Sequence, residues 1–265
     1  MVFNEEKSAV IIKLIPLALS ALNKIENLLL EKAYCRYTPR RTFIEKNNKF
    51  WESMGSHNNS SNKYVLSEGV AGNSFWAMLL STTNAILASA YKAKTIYLFE
   101  SIPASYLYEK FVQDSFGSNI FLSVDEMTKP MIGEISEKAQ AIFDSLEDPK
   151  DILSIRYRGT LIGSCIYDSY LKHRYATIHF LDEDIIPYIV NAIKFIEATN
   201  QIKQKYDIVA GYFTHLTGVY NGAPLRFLIN NQVPIYSSVG GLGNIVKYKG
   251  FEHSCGDLYY PICIP

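Results

Sequence analysis

The chain has 265 residues, and its hydrophobic fraction of 48% is enough for a packed core in one large domain or two small ones. Its 26 basic and 26 acidic residues balance, so no excess of positive charge favours binding to nucleic acid. The four cysteines lie at positions 35, 165, 255 and 263, without the Cys-x-x-Cys spacing of a structural zinc site. They are typical of reduced thiols in a cytoplasm.

The first 33 residues contain one clear pattern. Residues 5–33 have apolar side chains at helical spacing, which predicts an amphipathic helix. Its apolar run, residues 10–22, is interrupted by Lys13 and Pro16 and is shorter than the roughly 20 residues that cross a bilayer. Acidic residues precede this run, which is untypical of a signal peptide. We therefore expect the protein in the cytoplasm, either free or at the inner face of the membrane.

The stretch that begins at Tyr37 breaks the helical pattern with a proline, basic residues and a Ser/Asn-rich tract. This composition predicts a mobile linker that ends near residue 62. Arg36, Arg40 and Arg41 in this region suit contact with an anionic membrane surface, and they also suit a solvated connector, the interpretation that we favour.

From residue 63 onward, strand and helix patterns alternate with short links. Strands are predicted at 63–69, 94–100, 119–124, 206–213 and 233–239, and helices at 73–93, 104–117, 134–147, 182–204 and 223–232. Such alternation is typical of a parallel sheet with helices on both faces. We therefore predict a Rossmann-like α/β domain over residues 63–265, preceded by an N-terminal helix and linker over residues 1–62. Residues 151–180 interrupt the alternation, and no element is predicted after residue 239.

Ligands of such sheets bind beyond the carboxyl ends of the strands, which directs attention to three loops. The first runs from Glu68 and Gly69 to Asn73, a predicted helix cap, and its backbone N–H groups suit an anion or a sugar hydroxyl. It lacks the GxGxxG pattern, and Glu100 is the one acidic residue in a ribose-binding position after the next strand, so NAD binding is disfavoured. A plain strand-to-helix turn is an equally good interpretation.

The glycine cluster that begins at Gly240 is a weak phosphate-binding signal, because no Lys-Ser/Thr pair follows it. We interpret it as a structural turn, with a nucleotide-dependent enzyme as a further hypothesis. The remaining loop is richer in polar groups and contains Thr214, His215 and Tyr220, with Arg226 in the helix that follows. His215 suits a proton acceptor near neutral pH, and Arg226 suits a phosphate or carboxylate. A hydrogen-bonded loop histidine is the alternative.

The segment that interrupts the alternation is also dense in reactive side chains, namely Arg156, Arg158, Asp168 and His173. Asp168 suits a catalytic base, a group that orients one, or a group that binds sugar hydroxyls. It equally suits the cap of a helix that begins at the next residue. Gly163 is expected to let the backbone approach a ligand closely.

Two segments, YRGTLIGSCIYDSYLK and THLTGVYNGAPLRFLINNQVPIY, resemble the N-terminal half of GT-B-type glycosyltransferases of bacterial surface-carbohydrate or capsular-polysaccharide synthesis. The matching residues are Arg158-Gly159, Ile162-Gly163, Ile166-Tyr167-Asp168, Tyr170-Leu171, Thr214-His215, Tyr220, Gly222 and Arg226. The first strand and loop, YVLSEGVAGNS, are similar to those of the family. Ser164 stands where the family has an acidic residue, and Lys172 stands where it has an arginine.

The resemblance implies the acceptor-side half of an enzyme that transfers a sugar from a nucleotide sugar to a growing surface polysaccharide. His215 or Asp168 would be the catalytic base, and the substrate would contact Glu68, Gly69, Asn73, Arg158, Gly163, Thr214, Tyr220 and Arg226. The family needs no metal or other cofactor. It does need a second domain or partner subunit that binds the nucleotide sugar. A non-catalytic carbohydrate-binding or scaffolding subunit of the same machinery stays open as the alternative.

Overall fold

The structure is a computed structural model that describes residues 38–55, 60–69, 74–102, 107–173, 178, 180–238 and 245–248. The predicted helix at 5–33, the predicted cap Asn73 and the glycine cluster at Gly240 lie outside these residues. The side chain of His173 is also outside the described part.

The elements follow one another in the alternating order expected for an α/β domain. The strands are β1 (Lys63–Glu68), β2 (Lys94–Phe99), β3 (Asn119–Ser123), β4 (Arg156–Tyr157), β5 (Thr160–Leu161), β6 (Asp207–Tyr212), β7 (Ile235–Ser238) and β8 (Ile245–Tyr248). The α-helices are α1 (Thr38–Ser53), α2 (Ser74–Tyr91), α3 (Leu107–Asp114), α4 (Val124–Thr128), α5 (Ile132–Asp144), α6 (Gly163–His173), α7 (Ile186–Lys205) and α8 (Ala223–Asn230). Short 3-10 turns lie at Lys129–Met131, Pro149–Ser154 and Glu183–Ile185, and a π-helical turn lies at Gly218–Gly222.

Six strands form one sheet in the order β3-β2-β1-β6-β7-β8, and β4 pairs with β5 in a separate hairpin. All pairs in the large sheet are parallel except β7–β8, which is antiparallel. From β1 the chain builds the sheet outward through β2 and β3, and after the hairpin it returns to the other side of β1 with β6. The predicted α/β fold with a mostly parallel, Rossmann-like sheet is therefore confirmed.

Helices cover both faces of this sheet. Val65 of β1 is fully buried in a cluster with Leu80 and Leu87 of α2, whereas Leu66 is fully buried in a larger cluster with Ile193 of α7. Because neighbouring side chains of a strand point to opposite faces, α2 and α7 pack on opposite sides of the sheet. None of the helices among the described residues is long and apolar enough to span a membrane.

The mobile linker predicted after Tyr37 is wrong over residues 38–53, which form α1. Pro39 lies in the first turn of this helix, where its missing N–H breaks no hydrogen bond. Trp51 is 6% exposed and packs with Ala85 and Phe116, which anchors α1 to the α/β domain. Within the helix, Arg41 and most of the polar residues from 42 to 53 are exposed.

The segment that interrupts the alternation contains a helix that begins earlier than the cap interpretation requires. Helix α6 begins at Gly163, so Asp168 lies inside the helix and the interpretation of Asp168 as its N-cap is wrong. A side chain at Gly163 would place its Cβ 2.0 Å from the carbonyl oxygen of Ile152 and 2.6 Å from the carbonyl carbon of Leu153. The close approach at Gly163 is therefore made by the protein backbone.

Strand β8 was missed by the sequence interpretation. It has four residues, Ile245–Tyr248, and pairs Tyr248 with Ile235 at the antiparallel edge of the sheet. A strand this short gives too few alternations to be recognised beside a glycine-rich stretch.

We predict that Gly163→Ala lowers the free energy of unfolding by at least about 2 kcal/mol, because backbone atoms of the preceding turn must move. Urea unfolding measures this change. Gly133→Ala is the matched control, because Gly133 lies in α5 with nothing within 4 Å of the added Cβ, and it should gain up to about 1 kcal/mol. Equal stability of the two variants would contradict the packing of Gly163.

Candidate functional site

The sheet divides at the junction of β1 and β6, and two predicted site residues meet there. Glu68 is the last residue of β1, and Thr214 follows the end of β6. In open α/β sheets, ligands bind outside the carboxyl ends of the strands at the point where the strand order reverses. This edge is therefore the first place to look for a site.

Glu68 is a buried carboxyl group with an exposed fraction of 4%. Its Oε1 atom accepts hydrogen bonds from the backbone N–H of Thr214, at 2.7 Å, and from the Thr214 hydroxyl. Burial raises the pKa of Glu68 from 4.5 to about 7, although the two hydrogen bonds from Thr214 oppose the shift. Glu68 therefore changes charge in the physiological pH range.

Thr214 also connects Glu68 to His215. The Thr214 hydroxyl oxygen lies 2.8 Å from Nδ1 of His215, whose side chain is exposed and whose ring centre is 5.9 Å from that of Trp76. Partial desolvation lowers the pKa of His215, and the positive charge of Lys172 lowers it further. His215 is thus favoured in its neutral form near pH 7.

The hydrogen bond from Thr214 to Glu68 determines which nitrogen of neutral His215 holds the proton. An ionised carboxylate only accepts hydrogen bonds, so the single hydroxyl proton of Thr214 is donated to Glu68. The Thr214 oxygen can then only accept from His215, which requires the proton on Nδ1. Nε2 of His215 then has a free lone pair and can take up a proton. Glu68, Thr214 and His215 thus form a hydrogen-bonded chain that accepts a proton at Nε2.

A cavity of about 260 Å³ lies at the same edge of the sheet. It is lined by Gly69, Leu98, Phe99, Glu100, Ser101, Phe195, Tyr220 and Asn221. Tyr220 and Asn221 belong to the π-helical turn, a rare conformation that is frequent at functional sites. The cavity therefore lies at the carboxyl ends of β1 and β2 and begins one residue after Glu68.

Gly69 shapes one side of the cavity through its contact with Phe99. A Cβ at Gly69 would lie 2.4 Å from the Phe99 ring, which is closer than any real side-chain contact. The backbone N–H of Gly69 also donates to the carbonyl of Leu98 at 2.7 Å. The absent side chain therefore lets the chain after β1 lie directly on the ring that ends β2.

Glu100 is the acidic residue of the cavity lining, and a second carboxylate, that of Asp125, lies near it. Burial raises the pKa of Glu100, and the nearby Asp125 raises it further, while Lys194 opposes the shift. Lys194 is bound to Asp125 in an ion pair. The pKa of Tyr220 is raised by burial first and then by Glu100. These shifts show that Glu100, Asp125, Lys194 and Tyr220 form one interacting group.

The two arginines among the predicted substrate contacts, Arg226 and Arg158, bind protein groups. Arg226 is 1% exposed, and its Nη1 atom donates to Ser164 Oγ at 2.5 Å and to the Leu161 carbonyl at 3.2 Å. Arg158 binds Glu197 with two hydrogen bonds of 2.9 and 3.1 Å. Both contacts hold α7 or α8 against the segment of residues 158–164. A role of either arginine in phosphate binding stays a prediction.

Asp168 lies on the helix that packs against the loop of His215. Ser169 accepts a hydrogen bond from the backbone N–H of Val219 at 2.9 Å. The positive charge of Lys172, on the same helix, lowers the pKa of His215. Asp168 precedes Lys172 by four residues and therefore shares a face of α6 with it. The two segments that carry the sequence motifs are thus neighbours in the fold.

Sequence reasoning placed Glu68, Thr214 and His215, which the structure joins, and Gly69 and Tyr220, which line the cavity. It noted Glu100 only as a ribose-binding position and missed Phe99 and Phe195, which also line the cavity. Phe99 is the last residue of β2, so the rule that ligands bind at the carboxyl ends of strands could have identified it. Phe195 lies in the middle of a buried helix, where nothing distinguishes a cavity residue from a core residue.

No family model matches the chain, and comparisons with curated proteins and with solved structures find no significant similarity. Among the described residues, no group of three or more His, Cys, Asp or Glu side chains is arranged to hold a metal ion. The candidate site is therefore defined by its geometry.

Glu68→Gln should become more stable than the original protein as the pH rises. The folded state binds the Glu68 proton more tightly, so stability falls from pH 4.5 to about 7 as this carboxyl ionises in the unfolded state first. Glutamine keeps the accepting oxygen and has no proton to lose. The difference in free energy of unfolding between variant and original should grow by about 2–3 kcal/mol between pH 5 and pH 8.

Urea unfolding at the two pH values measures this difference. Glu137→Gln, an exposed position on α5, is the control and should show no comparable pH dependence. A Glu68→Gln difference that is the same at both pH values would contradict the raised pKa of Glu68.

Proposed function

We propose that the domain binds a carbohydrate acceptor at the carboxyl edge of its sheet and activates an acceptor hydroxyl for glycosyl transfer. It would act as the acceptor-side half of a GT-B-type glycosyltransferase in bacterial surface-polysaccharide assembly. The observation that carries the proposal is the hydrogen-bonded chain of Glu68, Thr214 and His215 beside a cavity. The proposal is supported by the contact between the two segments that resemble this family.

The proposed transfer reaction follows from the proton positions in the hydrogen-bonded chain of Glu68, Thr214 and His215. Nε2 of His215 takes the proton of the acceptor hydroxyl, and the hydroxyl oxygen attacks the anomeric carbon of the nucleotide sugar. The bond from this carbon to the phosphate oxygen breaks, and the nucleoside diphosphate leaves with the electron pair. Attack from the opposite side inverts the anomeric centre. The negative charge of Glu68 stabilises the imidazolium through Thr214, which also fixes the ring.

Asp168 is the second candidate for the base, because it shares a helix face with Lys172 near His215. His215 is the stronger candidate because Thr214 and Glu68 define its tautomer. The nucleotide sugar would bind to a second domain or partner subunit facing this edge.

A non-catalytic carbohydrate-binding subunit is the second candidate function. Tyr220 favours it, because its ring lies at the cavity with 41% of the side chain exposed and can contact a sugar without any chemistry. The two functions differ in the role of His215. A binding subunit needs no proton acceptor, whereas the transferase loses its reaction without one.

We predict that His215→Ala lowers the transfer rate by about 10²–10⁴-fold, because the hydroxyl proton has no acceptor. Thr214→Val keeps the backbone N–H but removes the hydroxyl, and it should lower the rate by about 10-fold or more. The assay uses the full chain with its donor-binding partner, radiolabelled nucleotide sugars tested one at a time, and host membranes as acceptor. Thr217→Val in the same loop is the control, and Asp168→Asn tests the second candidate base.

The wild-type protein should lose activity as the pH falls below about 7, because protonation of Glu68 removes the negative charge that stabilises the imidazolium of His215 through Thr214. Normal transfer by both His215→Ala and Asp168→Asn would exclude the proposed site. If the wild-type protein binds the acceptor but transfers no sugar, the result would favour the non-catalytic binding subunit.

A further inference from the structure

We infer that the cavity at Glu100 and Tyr220 is a subsite for one sugar ring and that it selects rings without negative charge, either neutral or amino-bearing. The inference rests on the proposed function for the statement that this ring belongs to the acceptor. The selection itself follows from the size and the lining of the cavity, which are independent of any transfer reaction.

The size of the cavity limits the ligand to a small molecule. Its volume of about 260 Å³ is below the roughly 300–1,000 Å³ of sites that enclose drug-sized ligands. A nucleotide sugar exceeds this space, whereas a single pyranose ring suits it. The cavity is therefore matched to one terminal residue of a saccharide.

The lining combines aromatic surface with polar atoms, as recognition of a pyranose requires. Phe99, Phe195 and Tyr220 supply aromatic surface, and the Tyr220 ring meets the Phe195 ring edge-on at 5.5 Å. Such rings pack against the C–H face of a sugar. Glu100 and Asn221 supply oxygens that accept hydrogen bonds from hydroxyl groups at the rim of the ring.

The charges around the cavity disfavour an anionic ligand. Glu100 lines it, and Asp125 is close enough to Glu100 to raise its pKa. The ammonium of Lys194 is bound to Asp125, so the three groups together have a net negative charge. A uronic acid or a phosphorylated sugar would bring a second negative charge beside Glu100. An amino sugar would instead place an ammonium group near two carboxylates.

The cavity is also in the right place for an acceptor. Gly69 lines it and directly follows Glu68, which holds Thr214 and, through it, His215. A ring bound here would lie at the same edge of the sheet as the proposed base. The same carboxylate that binds sugar hydroxyls would therefore decide which acceptors reach the base.

Binding of three methyl glycosides with the same ring configuration tests this inference. The three are the neutral glycoside, the 2-amino glycoside and the uronide. The gluco, galacto and manno series are each measured by ligand-observed NMR titration of the full chain. In the configuration that binds best, the neutral and amino glycosides should bind at least 10-fold more tightly than the uronide. A uronide that binds as tightly as the neutral ring, or no binding by any ring, would overturn the inference.

Glu100→Gln should weaken this discrimination several-fold by improving uronide binding, and Tyr220→Ala should weaken binding of all three rings. Glu126→Gln is the matched control, since Glu126 is an exposed carboxylate next to Asp125 and outside the cavity lining. A second test uses the wild-type protein alone, so it does not depend on the folding of any variant. Raising the salt concentration from 50 to 500 mM should reduce the discrimination by the original protein, because salt screens the repulsion. Discrimination unaffected by both salt and Glu100→Gln would refute the electrostatic cause.

The outcomes separate this inference from the proposed function. His215→Ala should bind the rings normally even though it no longer transfers sugar. If the protein transfers sugar and prefers uronide acceptors, the subsite inference would be wrong and the proposed transferase function would remain supported. Selective ring binding without any transfer would contradict the transferase and leave the subsite standing.

Discussion

The hydrogen bonds between Glu68 and Thr214 join the two strands at which the sheet divides, and the arrangement of the site depends on them. A buried carboxyl group is costly to ionise, and the N–H and hydroxyl of Thr214 offset only part of this cost. A glutamine would satisfy the same donors without a charge. The fold therefore holds at this edge a group that packing alone does not require, which is common where a protein needs a proton near neutral pH.

The cavity and the proton chain depend on the same few turns of backbone. After β1 the chain passes over Phe99 because Gly69 has no side chain, and after β6 it forms the π-helical turn that supplies Tyr220. Helix α6 supports this turn through Ser169 and Val219. The segment of residues 158–173 thus acts on the site mainly by holding the loop of His215, which gives its sequence motif a structural basis.

The sequence predicted most of the sheet because β1, β2 and β6 are largely buried apolar runs with clear ends, and β3 is a half-buried run of the same kind. It failed for α1, where polar composition suggested a linker and the buried Trp51 was the deciding contact. The rule of strand ends found Glu68, Thr214 and His215 because these residues directly follow strands. It could not find Phe195, which lines the cavity from a helix, or the ion pair of Asp125 and Lys194, which lies near Glu100. Arg226 suits a phosphate by residue type, but its environment could not be predicted from sequence: it is 1% exposed and donates to Ser164.

The distribution of positive charge explains why the proposed function includes a second domain. A leaving nucleoside diphosphate needs cations or strong hydrogen-bond donors to stabilise its growing charge. Arg158 is bound to Glu197, Arg226 to Ser164 and Lys194 to Asp125, while Lys172 beside His215 stays exposed. Among the residues that the structure describes at this edge, the exposed ammonium of Lys172 would balance only part of that charge, and the carboxylate of Glu100 would add to the repulsion. If the proposed function holds, the described edge would suit an uncharged acceptor, and the donor-binding side would supply further groups that receive the diphosphate.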